Sequence, residues 1–77
     1  MQEEYIRRIN TVLTYIEENL HAELSLQTIS NIAFYSPFHV HRLFKAITNE
    51  TLNAYITRKR IEQTALLLVH HKEYSIG

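Results

Sequence analysis

The 77-residue chain contains no cysteine. Disulfide staples and thiolate chemistry are thereby excluded, and a reducing compartment is compatible with the composition. Glycine and proline occur once each. Multi-stranded β folds need many special turns, so this scarcity argues for helices. No apolar run approaches the ~20 residues of a membrane span. The longest runs only from Ala65 to Val69. The start, Met1-Gln2-Glu3-Glu4, is polar and acidic, so no secretory leader is expected there. These absences lead to the expectation of a cytoplasmic protein with no membrane association. An excess of positive charge is also missing, since the net charge is zero, unusual for a nucleic-acid binder.

What is present is enough for one small domain. The hydrophobic content is 45%, although a chain this short buries only about 60% of its unfolded surface. The neutral total hides a split. Through Leu24, two arginines face five glutamates, a net −3; from Ser25 onward, six cations face three glutamates, a net +3. That distribution permits one basic side.

Apolar spacing and capping residues predict an all-α fold of four helices. Ile6, Ile9, Leu13, Ile16 and Leu20 recur at intervals of three and four, with Tyr5 and Val12 widening the stripe, over about residues 2–20. Asn19 and His21 suit its end. Ser25 is a good N-cap for a second helix over 26–33, whose apolar face is Leu26, Ile29, Ile32 and Ala33. Pro37 disfavours helical geometry at Ser36, so Ser36 caps a third helix over 37–48 with Pro37 at its first position. Asn49 can take the left-handed conformation that ends a helix. Thr51 caps the fourth, a long C-terminal linker helix over about 52–71 with Leu52, Tyr55, Ile56, Ile61, Ala65, Leu67 and Leu68 as apolar positions. The single subdomain spans 1–77, with no internal repeat and no low-complexity linker.

The informative stretch is Leu26 to Ile47. Its two helices are separated only by Phe34-Tyr35-Ser36, which forces a large angle and makes one helix protrude, as in a helix-turn-helix. At ~100° per residue, Val40, Leu43, Phe44 and Ile47 fall on one side of the third helix. Phe38, His41, Arg42 and Lys45 fall nearly opposite. The first set is the expected core face, with Leu43 and Phe44 buried against Leu26, Ile29 and the first helix. The second suits a DNA major groove. Arg42 can bind guanine O6 and N7 in bidentate fashion, and His41 can donate or accept at a base edge. Phe38 can touch a thymine methyl, and Lys45 is better placed for phosphate. Ser36, Pro37 and the free amides of the first turn form the helix N-terminus, which can also receive phosphate. A solvated polar face is the plainer alternative, since such faces are common.

Other clusters carry less. His39 and His41 point about 200° apart on a helix and cannot share one ion. His70 and His71 diverge by about 100°, with no convergent ligand beside them. No metal or cofactor is expected, and His39 is expected to flank the core. No nucleophile signature, phosphate loop or paired-carboxylate pocket is present, so no enzyme is expected. The run Arg58-Lys59-Arg60 splays over about 200°. It reads as a solvated cluster with one member paired to an acid, or as a source of one phosphate contact.

With these elements laid out, the chain resembles the N-terminal half of the DNA-binding region of the AraC/XylS family of bacterial transcription regulators. Four stretches carry the likeness: Tyr15-Ile16-Glu17-Glu18-Asn19-Leu20, Leu24-Ser25-Leu26, Tyr35-Ser36-Pro37-Phe38-His39-Val40-His41-Arg42-Leu43-Phe44-Lys45, and Tyr55-Ile56 with Arg60-Ile61. The third is the most specific. Tyr74-Ser75-Ile76 resembles the lead-in to the family's second helix-turn-helix, which the 77 residues do not contain. The resemblance implies double-stranded DNA as a partner and gene activation, with RNA polymerase as a further partner. It also implies a second helix-turn-helix subdomain and a separate effector-sensing domain in the parent protein. The family usually has Gly where this chain has Phe34, often Ala where it has Ser30, and usually Gly where it has Asn49. At Phe34 that implies either a less demanding backbone or strain. Two functional readings stand: sequence-specific DNA binding through the helix at 37–48, and a helical protein-interaction module that docks by the Phe38 face or the first helix.

Overall fold

The computed structural model describes residues 2–70 and consists there of four helices: α1 (Gln2–Glu18), α2 (Leu26–Ala33), α3 (Pro37–Thr48) and α4 (Leu52–His70). His71 and the segment Tyr74-Ser75-Ile76 lie outside the described residues. Three of the four helices begin at the expected caps. Ser25 is extended, and its Oγ accepts from the Thr28 amide at 3.1 Å. Ser36 Oγ accepts from the His39 amide at 3.2 Å, and Thr51 Oγ1 from the Ala54 amide at 3.1 Å. Each side chain satisfies an amide that has no partner within its helix. The first helix stops at Glu18, two residues before Leu20. There the Asn19 amide reaches back only three residues, to the Ile16 carbonyl at 3.1 Å, while its side-chain amide donates to the Tyr15 carbonyl at 2.8 Å.

Ile9, Val12 and Ile16 of α1 pack with Ile29 and Ala33 of α2, Val40 and Phe44 of α3, and Leu52, Tyr55 and Ile56 of α4. All but the α4 members are fully sequestered from solvent. Phe44 meets the Tyr55 ring edge-on at 5.4 Å, an arrangement that aromatic quadrupoles favour. Ser30 is buried among these apolar groups, and its hydroxyl is satisfied by the Leu26 carbonyl at 2.7 Å.

Several apolar positions depart from the expected core. The buried line of α1 runs Ile9–Val12–Ile16, which leaves Ile6 46% exposed. Leu26 sits in the first turn of α2 and Ile47 in the last turn of α3, beyond the buried residues of each helix, and both are 37% exposed. Leu43 is only half-buried at the core margin. The largest departure is in α4. After Ile56 its apolar residues Ile61, Leu67 and Leu68 are exposed, because only its first turns lie against α3 and α1. The Cα radius of gyration is 15.0 Å, against roughly 11–12 Å for a compact domain of this length. The far end of α4 projects from the bundle.

Candidate nucleic-acid interface

Burial of Val40 and Phe44 fixes the rotation of α3. Phe38, His41, Arg42 and Lys45 are consequently all exposed. Of the residues expected on this face, the structure brings two together. The Arg42 guanidinium lies 5.7 Å from the centre of the Phe38 ring, and that ring is 69% exposed. His41 stands at the edge of the face, beside a shallow groove lined by Leu24, Leu26 and Leu52. Ser36 is exposed, but its hydroxyl is occupied by the His39 amide, and Pro37 behind it is half-buried. His39 lies off this face. Its imidazole packs against Tyr35 at 4.7 Å and edge-on to Tyr5 at 5.7 Å, as expected of a residue flanking the core.

The electrostatics sort the cations into two groups. Arg58 forms a two-pronged pair with Glu50 at 2.7 and 3.0 Å and reaches Glu62 at 2.8 Å. This pairing lowers the Glu50 pKa and raises that of Arg58. Lys59 lies 3.8 Å from Glu62. Arg60 donates to the Leu20 carbonyl at 3.0 Å and the Ala22 carbonyl at 2.8 Å, tying α4 to the loop after α1. The run that read as a cluster with one paired member is engaged at all three positions. On α1, both Arg7 and Arg8 pair with Glu4. Among the described residues, Arg42 and Lys45 alone of the lysines and arginines have neither a carboxylate nor a carbonyl partner for the side chain.

Phe34 occupies the turn before α3. Its backbone is left-handed, at φ 61° and ψ 35°, which costs a residue with a Cβ roughly 1–2 kcal/mol. The outcome is strain. Asn49 takes the same conformation at φ 65°, where its short polar side chain is tolerated.

Residues 16–57 match the family model for bacterial regulatory helix-turn-helix proteins of the AraC family. The chain belongs to that family. The multiple antibiotic resistance protein MarA of Escherichia coli K12 is 35% identical over 65 residues, covering 84% of this chain and 51% of MarA. The transposon Tn10 TetD protein of Escherichia coli is 40% identical over 60 residues, covering 78% of this chain and 44% of TetD. The bifunctional transcriptional activator/DNA repair enzyme AdaA of Bacillus subtilis is 33% identical over 61 residues, 79% of this chain and 29% of AdaA. The chain thus spans about half the length, or less, of these curated relatives. No solved structure matches it.

The AraC-family match contains all of α2 and α3 and ends at Thr57, one residue after the last buried side chain of α4. It omits Tyr5 and Arg8. Sequence reasoning missed Arg8, whose carbonyl partners are 25 and 26 residues away. No local spacing rule reports such a contact.

Proposed function

We propose that this AraC-family chain binds double-stranded DNA with α3 in the major groove and acts as one reader within a transcription regulator. One observation carries the proposal: among the described residues, the two cations with neither a carboxylate nor a carbonyl partner both lie on the exposed face of the helix that follows the tight turn. Arg42 reads a base edge by its fork of donors, His41 contacts a base from the side of the face, and Phe38 packs on a thymine methyl or sugar. Lys45, one turn on, neutralises a phosphate. Ser36 and Pro37 bring the α3 N-terminus to the backbone, where the Phe38 amide receives phosphate, the His39 and Val40 amides being bonded to Ser36. Nothing in this role calls for a cofactor, a metal or catalysis, and its setting is the bacterial cytoplasm.

The parent protein on this reading carries a second helix-turn-helix, joined through α4. Linking two readers raises affinity through effective concentration. The 77-residue chain alone therefore binds in about the micromolar range, with steep salt dependence. Titration into labelled duplex at several salt concentrations tests this. Nanomolar, salt-insensitive binding by the monomer contradicts it. An effector domain and RNA polymerase are the further partners of the same reading. The protein-interaction alternative draws its support from the exposed Ile61, Leu67 and Leu68 of α4, a surface apart from the outward face of α3. Absence of any salt-dependent shift with duplex would favour it.

A further inference from the structure

The turn between α2 and α3 poses a physical problem. It places a phenylalanine in a left-handed conformation and leaves that side chain 81% exposed, so burial of the ring does not offset the strain. The amides of Phe34 and Tyr35 both point to the Ser30 carbonyl. The carbonyls of Ala33 and Phe34 gain no partner from that arrangement, and α2 has no cation of its own in its last turn.

A cation from another helix fills this place. The Arg8 Nη1 lies 3.4 Å from the Ala33 carbonyl and 3.4 Å from the Phe34 carbonyl. Its guanidinium carbon sits 4.7 Å above the centre of the Tyr35 ring. Glu4 holds the opposite edge, accepting from Arg8 Nε at 2.8 Å. Tyr35 in turn packs on His39, in the first turn of α3, and Tyr5 closes the aromatic cluster from α1. A positive group at the C-terminus of α2 also opposes the negative end of its dipole.

We infer that Arg8 is a positioning residue: from α1 it caps α2, holds the left-handed turn at Phe34, and so sets the direction in which α3 presents Arg42. The inference rests on the DNA reading of α3 for its consequence, and on the clamp geometry for its cause. Arg8 touches no DNA in this account. It acts through the two carbonyls and the Tyr35 ring, and it lies outside the span by which the family is matched. Glycine at position 34 would remove the need for the clamp, because glycine enters the left-handed region without steric cost.

The test compares wild type, Arg8→Met, and Arg8→Met combined with Phe34→Gly. Amide exchange is followed by NMR, and binding is measured on two duplexes: one enriched by wild type from a random pool, and one scrambled. Arg8→Met is expected to speed exchange at the Phe34 and Tyr35 amides by about tenfold while leaving the Tyr55 and Ile56 amides unchanged. The ratio of enriched to scrambled affinity falls several-fold, and Phe34→Gly restores both readouts. Arg8→Lys keeps the charge but loses the fork, and gives the same effects at smaller size. It replaces Arg8→Met if that variant does not fold. Unchanged exchange at Phe34 and Tyr35 would overturn the clamp. Faster exchange with an unchanged affinity ratio would overturn its positioning role. If wild type enriches no duplex at all, the DNA reading fails, and the exchange data alone decide whether the clamp exists.

Discussion

Two basic regions of this chain carry opposite lessons. Arg58-Lys59-Arg60 is the densest positive run in the sequence, and all three side chains are engaged within the fold, by Glu50, by Glu62 and by the carbonyls of Leu20 and Ala22. Arg42 and Lys45 are separated by two apolar residues and look unremarkable in sequence, yet neither has a carboxylate or carbonyl partner among the described residues. Charge density along a sequence therefore does not measure charge available to a ligand. Availability depends on what the fold places opposite each cation.

The largest effect is expected from the residue that lies beneath both regions. Phe44 backs the outward face of α3 and meets Tyr55 at the root of α4. Phe44→Ala should cost about 3–5 kcal/mol in denaturant unfolding, enough to threaten so small a domain. An unchanged melt would reject the rotation of α3 that turns Phe44 inward and Arg42 outward.

The next effects separate the two regions. Arg42→Ala should lose about 1–3 kcal/mol of binding at one base position, with little change in thermal stability. Arg60→Ala should do the reverse, because it removes two hydrogen bonds that fix α4. An exposed charged donor of this kind contributes about 1 kcal/mol. Urea midpoints and duplex titrations on both variants check this, and a lowered salt slope of binding in Arg60→Ala would contradict it. Lys45→Ala should weaken binding by similar amounts on all sequences and reduce that slope by about one unit.

The smallest effects are those of pH. The Tyr55 hydroxyl donates to Glu17 at 3.2 Å. Burial, and then the Glu17 charge, push its pKa from 10.0 up to about 12. The folded state holds this proton more tightly than the unfolded chain does. Its contribution to stability is intact below pH 10 and is lost as pH rises from 10 towards 12. Thermal melts across that window should show the loss, and Tyr55→Phe should remove this component. Glu50 runs the other way. Its hydrogen bonds to Arg58 lower its pKa below 4.5, so that pair contributes above this pH and weakens as pH falls below it.

Much of the fold was legible because short-range chemistry specifies it. Ser25, Ser36-Pro37 and Thr51 each carry a local capping signal, and the bounds of α2 and α3 follow from them. The outward face of α3 was legible for the same reason, since its two sides differ in residue type. What periodicity could not give was which apolar residues find partners. Ile61 and Leu68 continue the pattern of α4 as well as Ile56 does, but only the first turns of that helix contribute buried side chains to the core. Ile6 lost its expected place to a stripe rotated toward Val12. Arg8 was invisible for another reason. Its role depends on a backbone turn 25 residues away and on strain at Phe34, which exists only in the folded chain.

On the proposed reading, the α3 cations Arg42 and Lys45, and not the dense run on α4, read DNA. Binding-site selection from a random duplex pool with wild type, Arg42→Ala and Arg60→Ala tests it most directly. The selected motif is expected to lose its preference at one base position in Arg42→Ala and to stay intact in Arg60→Ala. A motif unchanged by Arg42→Ala but altered by Arg60→Ala would contradict it.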